Sequence, residues 1–172
     1  ISLAGMEASG TGNMKLMLNG AITIGTLDGA NIEIAEEVGR ENIFIFGLTA
    51  EEVAERRRRY SPYEIYGNDS EIRLAVDRIK QNVFSLLRPG LFDPIVRALL
   101  DSGDHYMLLA DLRAYLEAQD KVDALYADAR AWDRMALLNV ARSGKFSSDR
   151  AIQEYTRDIW KIKPCPILLD VG

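Results

Sequence analysis

Glu7-Ala8-Ser9-Gly10-Thr11-Gly12-Asn13-Met14-Lys15 brings two glycines, a carboxylate and a lysine together in nine positions. Before it, Ile1-Ser2-Leu3-Ala4 alternates like the end of a strand. After it, Met14-Lys15-Leu16-Met17-Leu18 is a run of good helix formers that stops at Asn19-Gly20. The stretch therefore reads as strand, glycine-rich loop, helix. A helix start presents unpaired backbone N–H groups and a partial positive charge, and glycine lets an anion approach them closely. Lys15 sits about one turn into the helix, where its amine can point back toward such an anion.

The stretch is not a standard nucleotide motif. The Walker pattern needs a Gly-Lys pair, and none stands here. Gly10-Thr11-Gly12 begins a dinucleotide fingerprint, but Lys15 occupies the third glycine's place, where a side chain prevents close helix–strand packing. Two readings stay open on the local pattern: a phosphate cradle beside a reactive amine, and an ordinary glycine-rich turn with a surface lysine.

Moving outward, Ala21 to Thr26 is rich in β-branched residues and predicts a strand. Leu27-Asp28-Gly29 turns the chain, Asn31 or Asp28 is placed to cap a helix over Ile32 to Val38, and Gly39 stops it. Asn42 to Phe46 is a short apolar strand of the kind found in parallel sheets. This is βαβ grammar, and it puts the glycine loop at the carboxyl end of a strand, where open sheets bind ligands.

Beyond Gly47 the pattern turns helical. Thr49 and Glu52 form a capping box for a helix to about Arg59, and Tyr60-Ser61-Pro62-Tyr63 breaks it, leaving a polar segment to Ser70. Helical spacing then runs from Ile72 through Val83, Phe84 and Leu87. Asp93-Pro94 opens a short helix ending near Gly103, and Asp111 is the expected cap of a long one to about Asp128. Two more helices carry Trp132 to Val140 and Ile152 to Trp160, the second behind Ser147-Ser148-Asp149 caps. The Tyr and Trp residues fall on the apolar faces, as core does. The fold class is α/β, a parallel sheet followed by a mostly helical C-terminal region, divided at 1–48, 49–160 and an irregular tail at 161–172 holding Pro164 and Pro166.

Composition bounds the function. The 172 residues are 48% hydrophobic and 27% charged, as globular chains are. A net charge of −5 disfavours nucleic acid and anionic membranes as partners. No apolar run approaches the roughly 18 residues of a membrane span. Cys165 is the single cysteine, which excludes an internal disulfide and suits a reducing compartment. Arg56 to Arg59 is the densest charge run, better read as a solvated helix end than as an anion patch. His105, the one histidine, has no nucleophile or metal partner in view. The chain opens on Ile1 inside an expected strand, as a piece of a longer polypeptide would.

The run from Glu7 to Lys15, with Leu18-Asn19-Gly20-Ala21, Thr23-Ile24-Gly25-Thr26 and Asp28-Gly29-Ala30-Asn31, resembles the pyridoxal-phosphate segment of the glycogen/starch/maltodextrin (α-glucan) phosphorylases. Trp132, Asn139, Ser143 to Arg150 and Ile159-Trp160 resemble the same family's C-terminal helices, so the likeness covers roughly residues 1–160. Met6 departs from the family pattern outside the ligand positions. The resemblance implies a partial Rossmann-like sheet of glycosyltransferase-B type. It implies pyridoxal 5′-phosphate as a Schiff base on Lys15, its phosphate held at Thr11 and Gly12, and glucosyl hydroxyls held by Glu7, Ser9 and Gly10. In that family the cofactor phosphate assists proton transfer while inorganic phosphate cleaves a terminal α-1,4-glucosyl bond to give α-glucose 1-phosphate. Met14, Leu16 and Met17 would give Lys15 the apolar surroundings that favour a neutral amine. Lys15 is then the cofactor's anchor, the partners are α-glucan and phosphate, and the parent is a cytoplasmic homodimer. The other half of the site would lie upstream, so the isolated chain is expected to be inactive. Two alternatives remain: a non-catalytic, self-associating half-domain, and a pyridoxal-phosphate enzyme of another reaction class.

Overall fold

Helix α1 spans Thr11–Leu18 and so starts three residues before the run of good formers. Packing explains the extension. Met17 is fully buried among Ala30, Ile34, Ala35, Val38 and Ile43, with Met14 against the same cluster, and this contact outweighs the weak helix preference of Thr11, Gly12 and Asn13. The helix ends as expected: Gly20 takes φ +82° and its N–H donates to Met17 O at 3.0 Å. The computed structural model describes residues 2–7, 9–163 and 165.

Strands β1 (Ile24–Gly25) and β2 (Phe44–Ile45) pair in parallel, Ile24 opposite Phe44 and Gly25 opposite Ile45. Helix α2 (Ala30–Val38) forms the crossover between them, as the βαβ pattern requires. Both strands are shorter than Ala21–Thr26 and Asn42–Phe46, because Arg40–Asn42 is a 3₁₀ turn and the ladder lasts only where the two chains meet. Ser2 to Ala4 forms no strand. Leu3 instead packs with Val53 and Met107, and its carbonyl accepts the Met6 N–H of a turn. Ile1 lies outside the described residues. Neither Asp28 nor Asn31 caps α2; Gly29 occupies that position at φ +51° with no side-chain bond. Both side chains are engaged elsewhere, as the site below explains.

The remaining described chain is helical. Helix α3 (Ala50–Arg56) has the expected Thr49/Glu52 capping box, and stops short of Arg59. The chain breaks between α3 and Pro62 as expected, but the polar segment that follows is a helix, α4 (Pro62–Asn68), with Pro62 in its first turn, where a missing N–H is harmless. Helix α5 (Ser70–Lys80) buries Ile72 and Val76 and is capped by Asp69. It ends well before Leu87, because Asn82 turns left-handed at φ +58° and its side chain accepts the Gly90 N–H at 2.6 Å. The apolar spacing continues past that turn without a helix, leaving Phe84 64% and Leu87 98% exposed.

Helix α6 (Asp93–Val96) runs into a wider π turn over Arg97–Asp101, with Asp93 as its first residue and Phe92 at the cap. Helix α7 (Leu108–Tyr126) starts three residues before Asp111. Met107 holds the cap position at φ +47°, and Asp104, three residues earlier, satisfies the first turn: its carboxylate accepts the N–H of Leu108 at 3.0 Å and of Leu109 at 2.8 Å. Helix α8 (Ala129–Ala141) is capped by Asp128, and α9 (Ser148–Glu154) by Ser147, as expected for the latter. The chain after α9 widens into a π turn over Tyr155–Trp160. Tyr126, Tyr155 and Trp160 are exposed, contrary to their expected place in a core. Each instead packs edgewise or tilted on one other ring, Tyr126 on Trp132 and Tyr155 on Trp160.

The end of the helical part closes the βαβ core. Leu138 and Phe146 pack on the α1–α2 cluster, and fully buried Asn139 donates to Asn42 O at 2.9 Å. The fold class is α/β, mostly helical, with a two-stranded parallel sheet among the described residues. No helix among them is long and apolar enough to cross a membrane. The tail expected to be irregular falls mainly on residues 164 and 166–172, outside the described ones.

Candidate active-site cleft

The glycine-rich stretch lies along a cleft of about 530 Å³. Glu7, Ser9, Gly10, Thr11 and Gly12 form one side, and Thr23, Thr26 and Asn31 from the ends of β1 and α2 join them. Phe46 and Tyr115 also line it, packed edge to face at 5.3 Å. Five of the six expected site residues are thus gathered in one place. The sixth, Lys15, is exposed in the last turn of α1 and is not among the lining residues. Nor does this chain surround it with apolar groups: Met17 is turned into the core and Leu16 is exposed.

The start of α1 is open. Gly10 is extended at its cap, φ −128° and ψ 123°, and no side chain bonds the first turn from the cap position. A Cβ added at Gly12 would meet nothing within 4 Å, so the cleft reaches the backbone there. At Gly10 a Cβ would stand 3.1 Å from Glu7 Oε1, which brings that carboxylate close against the loop. An uncapped helix start suits an anion, and a carboxylate beside a hydroxyl suits a polyol.

Asp28 and Asn31 hold this geometry. Asp28 Oδ2 accepts the N–H of Met6 at 3.1 Å and of Glu7 at 2.8 Å. Burial pushes the Asp28 carboxyl up, and backbone N–H groups at Glu7, Gly5, Gly29 and Met6 outweigh it, leaving it below the ordinary carboxylate range. Asn31 Nδ2 donates to Thr26 O at 2.9 Å while its Oδ1 accepts from Asn13 Nδ2 at 2.8 Å. It thereby bridges the end of β1 to the start of α1. Gly25 makes room for this bridge, since a Cβ there would lie 2.5 Å from Asn31 Nδ2.

Sequence reading missed Tyr115, Phe46 and the threonines as lining residues. It had a signal for Asn31, in the Asp28-Gly29-Ala30-Asn31 run, but assigned it to a cap. Tyr115 comes from α7, which is tied to the loop after β2. Buried Asp111 accepts the Leu48 N–H at 2.9 Å and stands where a Gly47 Cβ would be, 2.8 Å from its Cγ. Burial raises its carboxyl above the ordinary range despite that bond.

The residues set aside stay apart from the cleft. His105 is exposed, with its carbonyl near Arg57 Nη1. Arg56 to Arg59 are exposed, Arg59 pairs with Glu55 at 3.7 Å, and Glu52 and Glu64 share the adjoining groove with Arg56. No group of His, Cys, Asp or Glu among the described residues is arranged to hold a metal.

Pyridoxal phosphate requires an anion seat and an amine on neighbouring elements. The open start at Gly12 offers the anion seat, and the amine of Lys15, three residues on in the same helix, is exposed and outside the cleft lining.

The family model for carbohydrate phosphorylase matches residues 1–162. A glycogen phosphorylase from Synechocystis is 54% identical over 171 residues, 99% of this chain. One from Chlamydia pneumoniae is 51% identical over 94% of it. The liver form from Bos taurus is 51% identical over 100%, so the likeness continues through the tail that sequence reading left unmatched. The chain spans about a fifth of these relatives, 20% of each. On a match of this extent, the chain belongs to the carbohydrate phosphorylase family.

Proposed function

We propose that the chain is the C-terminal part of an α-glucan phosphorylase, which transfers a terminal α-1,4-glucosyl unit to inorganic phosphate and releases α-glucose 1-phosphate. The observation that carries this reading is the gathering of Glu7, Ser9, Gly10, Thr11 and Gly12 around one cleft at an uncapped helix start. The two-stranded sheet is then part of a larger Rossmann-like sheet of glycosyltransferase-B type. Residues 1–48 and 49–160 are two parts of one domain.

Under this reading Glu7 accepts hydrogen bonds from sugar hydroxyls, with Ser9 and the Gly10 amide beside it. Thr11 and Gly12 amides hold the phosphate of pyridoxal 5′-phosphate, and Lys15 Nζ anchors the cofactor covalently. When bound, the cofactor supplies a phosphate group that assists proton transfer to and from inorganic phosphate. This chain's residues orient the sugar and fix the anion, and the longer protein encloses Lys15 in the apolar surroundings that α1 does not provide. The longer protein is a homodimer in the cytoplasm, and the isolated chain has no turnover.

Borohydride reduction of the longer protein followed by peptide mapping tests the assignment. A reduced pyridoxyl label on Lys15 is expected, and a label on any other lysine would overturn it. Phosphorolysis by the isolated chain would overturn the claim that it holds only half a site.

A further inference from the structure

In the Asp28-Gly29-Ala30-Asn31 run Gly29 holds the cap position of α2, and neither Asp28 nor Asn31 bonds the helix start through its side chain. The run's three polar or flexible positions bear instead on the two halves of the glycine-rich stretch. Asp28 Oδ2 takes the successive N–H groups of Met6 and Glu7. Gly29, at φ +51°, lies directly against that loop: a Cβ there would meet Glu7 Cγ at 3.4 Å and Ser9 Cα at 3.6 Å. Asn31 meanwhile holds Asn13 and Thr26 together. Two separate attachments therefore serve two separate halves.

We infer that Asp28 is a positioning residue for sugar binding, fixing the backbone of Glu7 so that its carboxylate faces the cleft, while Asn31 sets the cofactor-facing helix start independently. The inference rests on the sugar-facing assignment of Glu7 proposed above. Its physical basis is that two N–H groups in sequence, both bonded to one ionised oxygen, leave the peptide between them little freedom to rotate. Gly29 then supports the same loop by contact. Asp28 itself does not line the cleft, so its effect reaches the ligand only through Glu7.

The test uses the longer protein, with α-glucose 1-phosphate as the variable substrate and bound pyridoxal phosphate measured by its absorbance. Removing bonds to a charged acceptor, Asp28→Ala should raise KM for the sugar phosphate by about tenfold or more. It should change kcat by less than about threefold and leave cofactor content intact, because Asn31 still braces α1. Asp28→Asn, which keeps an acceptor oxygen without the charge, should fall between wild type and Asp28→Ala. It also serves alone if the alanine variant does not fold. In a Glu7→Gln background the Asp28 substitution should add little, since the two act on one interaction. Wild-type KM in both Asp28 variants overturns the inference. So does a parallel fall of kcat and cofactor content, the mark of a merely structural role. If Glu7→Gln itself leaves KM unchanged, it is the sugar assignment that fails.

Discussion

Helices α1 and α7 begin in opposite ways. The start of α7 is closed: Asp104, 3% exposed, accepts two backbone N–H groups and the Tyr60 hydroxyl at 2.6 Å. The start of α1 has glycine at its cap and again two residues on, with the space beyond Gly12 empty. A helix end that satisfies itself stabilises the fold and has nothing left for a ligand. One left open gives up that stability and keeps its amides available. The chain uses side-chain caps at α3, α5, α8 and α9 as well. Helices α2, α4 and α6 also start without a side-chain cap, so what sets α1 apart is that its bare start lines the cleft.

Substitutions can break this contrast. The largest effect is expected from Gly12→Val in the longer protein. Its side chain enters the open cleft, so pyridoxal phosphate retention should drop about a hundredfold, while urea unfolding of the isolated chain shifts by less than about 0.5 kcal/mol. Asp104→Ala should do the reverse. It leaves buried amides and a tyrosine hydroxyl without their acceptor, and unfolding of the isolated chain should report a loss of about 2–4 kcal/mol. Thr49→Ala removes half of the exposed capping box on α3, and the same measurement should show about 1 kcal/mol.

The smallest effect concerns pH. The folded-state pKa of Asp28 is depressed, so its contribution to stability is complete above the unfolded carboxylate value near about 4 and is lost as pH falls through the folded one. Wild type should therefore lose more stability than Asp28→Ala in that acidic window, and the two should run parallel above it. Parallel curves throughout would show that the Met6 and Glu7 bonds contribute nothing to the fold.

Local chemistry was legible in the sequence and tertiary chemistry was not. Thr49 and Glu52 announce their box because the partners are three residues apart. The break at Tyr60–Tyr63 was legible, but the helix that Pro62 begins was not, because a polar segment after a proline carries no strong apolar stripe. Asp111 was read as a cap from its place before an apolar stripe, but its partner is Leu48, 63 residues away. The apolar spacing through Val83, Phe84 and Leu87 has helical period, yet the left-handed turn at Asn82 ends the helix first. In the site, Glu7 to Gly12 could be grouped because they are contiguous. Tyr115 could not, since only the packing of α7 on the loop after β2 brings it there.

Asn139 has a consequence for how the chain is made. Its bond to Asn42 spans 97 residues, and Leu138 and Phe146 close the cluster beneath α1 and α2. On a ribosome adding about 5–20 residues per second, the βαβ segment waits roughly 5–20 s for that cover to be synthesised. Within this stretch the residues lining the cleft, the last of them Tyr115, are therefore synthesised before the helix that covers the core beneath α1 and α2. Until α8 emerges, the nascent segment carries an open apolar face, the stage at which a stalled or truncated product would be most prone to aggregate.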